Sequence, residues 1–235
     1  MSAEAERLGE LGERWALGAD QVSALAGLLE GLRADPLAPS AVRGATAVDV
    51  HIADSLSALE LECVRAARRV ADLGSGAGFP GLALAVALPG ARVALVESAA
   101  RRCAFLERLR ARVGIANADV VCARVEEWRE GLGGHDLVVA RALAPLAVLC
   151  EYAAPLLEIG GSLVAWKGAT DAAEAQAGGR AALVLGLHDE GAVRSAPYPG
   201  SVAHHLHVYR KVAPTPPGYP RRAGIARKRP LGGSP

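Results

Sequence analysis

The sequence is poor in aromatic residues, poor in cysteine and without a long apolar run, and each shortage removes a class of protein. Only 4% of the 235 residues are aromatic, so any core has to be assembled from alanine, valine and leucine. The material for one exists, since 51% of the chain is apolar and 22% is charged. That balance suits one packed domain with appended helices and leaves long disorder to the ends. The longest apolar run, Gly81 to Leu88, stops at Pro89, far short of the roughly 18 residues a membrane span needs. Met1 to Glu10 carries acids and no apolar stretch, which argues against a secretory leader. Cys63, Cys103, Cys122 and Cys150 stand far apart with no Cys-x-x-Cys pair. Neither a metal site nor a disulfide framework is therefore expected; the cysteines read as buried free thiols of a cytoplasmic protein.

Acidic residues are missing from one end. After Glu190 there is no acid but eight bases, Arg194, Arg210, Lys211, Arg221, Arg222, Arg227, Lys228 and Arg229. With 26 bases and 25 acids in the whole chain, the first 190 residues carry −7 and the remainder +8. Five of these bases crowd into Arg221 to Arg229 beside turn-forming proline and glycine, a pattern that suits a polyanion better than a merely solubilising tail.

Three stretches follow from the hydrophobic pattern. Residues 1–68 read as an N-terminal helical cap: Leu8, Leu11 and Trp15, then Val22, Leu25, Leu28, Leu29 and Leu32, recur at helical spacing, with Asp20 as the expected N-cap of the second helix. His51 to Arg68 is helical again, with a break near Leu59. Residues 69–213 alternate short apolar runs with helical ones. Val70–Leu73, Val93–Val96, Val120–Cys122, Leu137–Ala140 and Leu163–Trp166 do not alternate, as expected of strands buried on both faces of a parallel sheet. Pro80–Leu88, Ala99–Val113 and Pro145–Leu157 are the expected helices, and Ala192–Ala196 and His204–Arg210 a terminal antiparallel pair. Residues 214–235 read as an extended, basic, proline- and glycine-rich tail with no core of its own.

The chemistry starts where the first strand meets its helix. Asp72-Leu73-Gly74-Ser75-Gly76-Ala77-Gly78-Phe79-Pro80-Gly81 supplies glycines that admit positive φ and close approach of a ligand, with Pro80 suited to the first helical position. A dinucleotide fingerprint would place its third glycine where Phe79 stands, so the loop fits a nucleoside without a pyrophosphate. Glu97 ends the second strand, where its carboxylate can accept both ribose hydroxyls; alone it would be a solvated strand end. Arg124-Val125-Glu126 follows the third strand, where a backbone N–H can read adenine N1 and the Glu126 carboxylate can accept from N6; alone, Glu126 would be a helix-start acid. Three such features at successive strand ends describe one crevice at the carboxyl edge of a sheet, with the signature of an S-adenosylmethionine site.

At further positions the sequence resembles the bacterial 16S ribosomal RNA guanine-N7 methyltransferases, the glucose-inhibited division protein B family. The resemblance runs from about His51 to Leu231. It rests on His51-Ile-Ala-Asp54-Ser55-Leu56, the Asp72–Gly81 loop, Arg101-Arg102-Cys-Ala-Phe105-Leu106, Arg124-Val125-Glu126-Glu127, Ala140-Arg141-Ala142, Trp166-Lys167-Gly168 and Tyr219-Pro220-Arg221-Arg222-Ala223-Gly224. It implies a class I methyltransferase fold: a Rossmann-like α/β sheet, mostly parallel with a terminal antiparallel pair. It implies methyl transfer from S-adenosylmethionine to N7 of guanine-527 in the decoding-region loop of 16S RNA. Gly74, Phe79, Val125, Glu126 and Arg141 match cofactor-contacting positions of the family, Gly76 and Glu97 complete the expected cofactor set, and Arg141 also matches a position important for activity.

The expected RNA contacts are His51, Asp54, Ser55, Lys167, Arg221, Arg222, Arg227 and Lys228. His51, Asp54 and Ser55 either line a base pocket or cap the helix they precede; Lys167 either reaches phosphate or is solvated. Arg141 would sit on the methionine carboxylate or a phosphate, since a bidentate grip on N7 and O6 would occupy the nucleophile; the structural alternative is an ion pair with an acid such as Asp136. His204, His205 and His207 lack a nearby carboxylate or cysteine at ligand spacing and read as strand residues. The expected partner is 16S RNA or the 30S subunit, with no membrane and no metal, and the enzyme is expected to be a monomer. A small-molecule or protein methyltransferase, a non-catalytic RNA assembly factor and a nicotinamide-dependent reductase are the rival readings. The basic tail, the intact cofactor set and the glycine spacing, respectively, argue against them.

Overall fold

The computed structural model describes residues 2–39, 46–169, 171–201 and 204–232. Two antiparallel-reading leucine stripes open the chain on helices Ala3–Arg14 (α1) and Ala19–Ala34 (α2). Leu8, Leu11, Leu25, Leu28, Leu29 and Leu32 are all buried, each such side chain contributing about 2 kcal/mol through the apolar area removed from water. The N-cap of α2 is Gly18 rather than Asp20: the Gly18 N–H donates to Gln21 Oε1 at 2.9 Å. Asp20 lies one step inside, where its charge favours the positive end of the helix.

The helical stretch that contains His51 is irregular. A π-helical turn, Val48–Ala53, runs into one α turn, Asp54–Leu56 (α3), a 3-10 turn, Ser57–Glu60, and a short helix, Glu62–Arg65 (α4). The chain breaks at Leu61, which is extended, two residues beyond the expected point.

Seven strands form one sheet: Arg69–Leu73 (β1), Arg92–Glu97 (β2), Ala118–Cys122 (β3), His135–Arg141 (β4), Leu157–Lys167 (β5), Leu187–Ser195 (β6) and His204–Lys211 (β7). Their order is β3-β2-β1-β4-β5-β7-β6, parallel from β3 to β5, with β7 antiparallel to both of its neighbours. The central strands are buried on both faces. Along β4, Leu137 and Val139 join one apolar cluster while Val138 and Ala140 join the other, which is why the run shows no polar alternation. One face packs on α1, α2 and the helices Gly81–Ala87 (α5) and Ala100–Val113 (α6); the N-terminal leucines and the sheet therefore share a single core. The other face packs on Leu146–Ala153 (α7) and Ala172–Val184 (α8). Helix α8 is absent from the expectations above. It buries Gly178, Ala181 and Ala182 rather than a leucine stripe, and a Cβ at Gly178 would stand 2.6 Å from Tyr209 Oη and 2.9 Å from Leu146 Cβ.

The C-terminal segment corrects a second expectation. It is neither loose nor without packing: Tyr219 and Leu231 lie against the second cluster, and Ala226, on the short helix Ile225–Lys228 (α9), is buried within it. Arg180 holds the end of the segment through two hydrogen bonds to the Gly232 carbonyl, at 2.8 and 2.6 Å. Small buried contacts and side-chain bonds of this kind leave no periodic trace in a proline-rich sequence.

Candidate active site

Strand β1 ends at Leu73, and the chain turns over Gly74, Gly76 and Gly78, at φ +70°, +54° and +93°, before α5 begins at Gly81. Pro80 stands at the N-cap position rather than the first helical one. At Gly74 two constraints coincide, because the left-handed backbone is joined by Leu143 Cδ1 only 2.6 Å from where a Cβ would be. Beneath the turn lies Asp72, 1% exposed, whose Oδ2 accepts from the Gly81 N–H at 3.1 Å. Among the described residues its Oδ1 has no hydrogen-bond partner. Burial pushes the Asp72 carboxyl up to about 6, against smaller lowering contributions that include the positive charge of Arg141.

Two buried carboxylates stand beside this turn. Glu97, at the end of β2, accepts from the Gly76 N–H at 3.2 Å and the Ala99 N–H at 2.9 Å, with Arg102 Nη1 at 3.6 Å. A carboxylate offers about four acceptor sites, so capacity remains for a pair of vicinal hydroxyls. Glu126, in the 3-10 turn Val125–Glu127 after β3, accepts from the Gly224 N–H at 2.8 Å. Gly74, Glu97, Val125 and Glu126 line one cavity of about 390 Å³, completed by Ala142, Leu143, Tyr152, Gly224 and Arg227. Its size lies within the range of small-molecule sites, and its donor set suits an adenosine group: a close backbone turn, a carboxylate for the ribose and a second carboxylate for the base edge.

A second cluster sits at the ends of β4 and β5. Arg141 Nη1 donates to Asp54 Oδ2 at 2.7 Å and to the Val50 carbonyl at 2.8 Å. The acid that holds Arg141 is thus Asp54; Asp136 instead accepts from the backbone N–H groups of Arg68 and Arg69. Asp54 Oδ1 meets His204 Nδ1 at 3.2 Å, His204 Nε2 lies 3.4 Å from the Tyr198 hydroxyl, and Trp166 Nε1 donates to the Asp54 carbonyl at 2.9 Å. His51 stacks on Phe79, with ring centroids 4.8 Å apart and 17° between planes. After Arg141 the chain turns through Ala142 at φ +54°, a left-handed conformation that costs a non-glycine residue on the order of 1 kcal/mol and marks functional turns.

Several expected site residues are placed elsewhere. The Ser55 hydroxyl donates to the His51 carbonyl one helical turn back and is fully buried. Lys167 Nζ is held between Glu174 Oε1 at 2.5 Å and the Ala144 carbonyl at 3.1 Å. Arg221 is bonded through Nε and Nη2 to the buried Glu151. Arg222, Arg227 and Lys228 are exposed, and Arg227 Nη2 also donates to the Leu143 carbonyl at 3.0 Å. Conversely, Asp72, Tyr152, His204, Tyr198 and Gly224 join these clusters without having been singled out as site residues. Asp72 was visible as the first residue of the glycine loop and Gly224 as the last residue of the Tyr219–Gly224 run; nothing in the pattern marks Tyr152, Tyr198 or His204 as site residues. His205 and His207 stay outside, His205 Nδ1 meeting the Gly168 carbonyl and His207 lying buried with its imidazole pKa lowered by that burial. Among the described residues no group of three or more His, Cys, Asp or Glu side chains could hold a metal, and no helix is long and apolar enough to cross a membrane.

A parallel sheet reversed by a final antiparallel strand, with a glycine turn and two carboxylates at its carboxyl edge, defines a class I S-adenosylmethionine-dependent methyltransferase. The S-adenosylmethionine-dependent methyltransferase SibL is similar in fold, with a TM-score of 0.56 at 17% identity over 83% of this chain and 73% of that one. The Methanococcus jannaschii fibrillarin pre-rRNA processing protein is similar too, with a TM-score of 0.52 at 16% identity over 65% of this chain and 70% of that one. The model of the GidB family, rRNA small subunit methyltransferase G, matches residues 43–196. The chain is 43% identical to the Ribosomal RNA small subunit methyltransferase G of Rubrobacter xylanophilus over 189 residues, covering 78% of this chain and 72% of the relative. To that of Pelotomaculum thermopropionicum it is 39% identical over 200 residues, covering 82% of each. The protein belongs to the rRNA small subunit methyltransferase G family, and is an enzyme that uses S-adenosylmethionine to methylate ribosomal RNA of the small subunit.

Proposed function

We propose that the enzyme methylates N7 of one guanine, guanine-527 of the decoding-region loop of 16S RNA, acting as a cytoplasmic monomer on naked RNA or the 30S subunit. The observation that carries the RNA part of this reading is the position of the exposed bases. Arg222, Lys228 and Arg229 are exposed on the same segment whose Gly224 and Arg227 line the cofactor cavity, so phosphates attracted there lie at the rim of the site.

When bound, S-adenosylmethionine supplies an electrophilic methyl group. Glu97 is the residue for the ribose hydroxyls, Glu126 for the adenine edge, and the turn at Gly74 and Gly76 for close backbone approach, with Val125 and Phe79 beside them. Guanine N7 carries a lone pair and no proton, so the transfer needs no general base, and the Asp54–His204 pair is not assigned that role. The protein's contribution is alignment, which can be worth roughly 7–11 kcal/mol. Arg141 contributes as a held guanidinium: Nη1 is used by Asp54 and Val50, while Nε and Nη2 make no hydrogen bond among the described residues. Those two groups suit a carboxylate or phosphate oxygen. Asp54 offsets the charge of Arg141, so a guanine that turns cationic on methylation is not opposed by an uncompensated cation. His51 and Phe79 are both buried and stack on each other, so the pair braces the wall behind Arg141 and the glycine turn rather than offering an open face.

The test is transfer from labelled S-adenosylmethionine to 30S subunits lacking the modification, followed by digestion and mass identification of nucleosides. Label in 7-methylguanosine at a single site is the expected result. Label in another nucleoside, or no transfer to 30S and 16S RNA alike, would overturn the reading.

A further inference from the structure

The cofactor cavity has one wall that does not belong to the sheet. Gly224, at φ +80°, donates its N–H to Glu126 Oε1, and Arg227 Nη2 bonds the Leu143 carbonyl. Leu143 in turn packs its side chain against the Gly74 turn. Tyr152 is buried beside Glu126 and Arg227, its phenol pKa raised chiefly by that burial. The C-terminal segment therefore touches both the carboxylate expected at the adenine edge and, through Leu143, the turn expected under the ribose.

What holds this wall is an ion pair between a buried carboxylate and a half-buried guanidinium. Glu151 on α7 is 1% exposed, and its two oxygens are engaged by Arg221 Nε, at 2.7 Å, and Arg221 Nη2. Arg221 Nη2 also donates to the Arg229 carbonyl at 2.9 Å, closing the loop 221–229 on itself. The paired carboxylate holds the Arg221 guanidinium above its ordinary pKa, against the opposing effect of burial. A bidentate pair fixes orientation as well as distance, and a guanidinium so engaged is not offered to phosphate.

We propose that Arg221 and Glu151 are positioning residues for the cofactor: the pair sets the C-terminal segment as the outer wall of the adenosine pocket, so that Arg221 governs cofactor affinity while its neighbours Arg222, Lys228 and Arg229 govern RNA affinity. The bases of one run thus divide between two ligands. The segment that meets the RNA is the segment that closes on the cofactor, and the two ligands favour each other's binding. This rests on the cavity being the cofactor site.

The probe is S-adenosylhomocysteine, titrated calorimetrically into Arg221→Ala, Arg221→Lys and Glu151→Gln, with binding to 16S RNA measured over a salt series. Arg221→Ala and Glu151→Gln are expected to weaken S-adenosylhomocysteine binding by roughly tenfold or more, since the first leaves the buried Glu151 carboxylate unpaired and the second removes the charge that fixes the half-buried Arg221. Arg221→Lys, which keeps the charge without the fork, falls between. The salt slope for RNA should stay unchanged in all three, whereas Arg222→Ala/Lys228→Ala should lower it by about 2 with cofactor affinity intact. Unchanged S-adenosylhomocysteine affinity together with a salt slope lowered by about 1 in Arg221→Ala would make Arg221 a phosphate contact and overturn the proposal. Should these variants fail to fold, hydrogen exchange on the unaltered protein decides. The amides of residues 222–229 gain protection when S-adenosylhomocysteine is added without RNA if the segment is a pocket wall; no gain overturns the proposal. An unaltered protein that does not bind S-adenosylhomocysteine at all would remove the cofactor assignment and this inference together.

Discussion

The two clusters at the carboxyl edge flank β1 on opposite sides and hold their charges by different means. On the β2–β3 side, Glu97 and Glu126 are fixed by backbone N–H groups from Gly76, Ala99 and Gly224. On the β4–β5 side, Arg141 is fixed chiefly by another ionisable side chain, Asp54, which is itself shared with His204. Backbone donors cannot swing away, so the first arrangement presents acceptors ready for a neutral nucleoside at little reorganisation cost. A side-chain pair can exchange partners, so the second suits charge that arrives and departs with each turnover. The comparison predicts that substitutions on the two sides fail in different kinetic parameters.

Arg141→Ala should do the most. Removing the guanidinium is expected to lower kcat/KM by about 10³-fold or more, and to lower Tm as well, because Asp54 is buried and is left with His204 as its ionisable partner. Near-normal turnover in that variant would remove Arg141 from the transfer step. Asp54→Asn keeps the shape but removes the compensating charge. A loss of roughly 10²-fold, borne by kcat with cofactor KM little altered, is expected; a loss borne by cofactor KM would merge the two clusters into one binding site. On the other side, Glu97→Gln should weaken S-adenosylhomocysteine binding about 10- to 100-fold, the worth of hydrogen bonds to a charged acceptor. There kcat at saturating cofactor should be nearly retained, and equilibrium titration beside steady-state kinetics separates the cases.

The two sides also differed in how far the sequence disclosed them. Glycines at alternate positions, an acid closing β2 and an acid following β3 are local features, and the strands that carry them are short unalternating runs whose period survives in any context. They were legible. The Arg141 partner was not, because Asp54 lies 87 residues away on an irregular helical turn and Asp136 was nearer in the sequence. His204 looked like an ordinary strand histidine because its register against β5, opposite the end of the strand that carries Trp166, is a tertiary fact. Helix α8 escaped for another reason: it packs on α7 and β6, burying Gly178, Ala181 and Ala182, and small residues pack closely without forming an apolar stripe. The docked C-terminal segment belongs with these, since its attachment rests on one ion pair, a few hydrogen bonds and three scattered apolar contacts, Tyr219, Ala226 and Leu231, that form no periodic stripe.

Asp72 lies under the turn between the two sides and allows the smallest and most specific test. Its folded carboxyl is held up at about 6 by burial, whereas the unfolded one titrates near 3.9. Between those values the folded state binds more protons than the unfolded state, so the Asp72 contribution to stability is fully present below about 4 and is lost as pH rises through about 6. Other carboxylates titrate in the same interval, so the quantity to measure is the stability of the unaltered protein minus that of Asp72→Asn, by chemical denaturation from pH 4 to pH 8. That difference should fall with rising pH, by at most about 1 kcal/mol per unit, and become flat above about pH 7. The reverse slope would mean that Asp72 is stabilised as an anion in the fold, with Arg141 as the dominant influence rather than burial. In the expected case the enzyme carries at neutral pH a buried charge whose Oδ1 has no partner among the described residues, and burial makes it costly in stability. A negative charge under the turn lowers the potential on both sides of β1, where Arg141 is cationic and the methylated base becomes so. The cost is then a stability–function exchange located at one oxygen, and Asp72→Asn should gain stability at pH 7 while losing transfer rate.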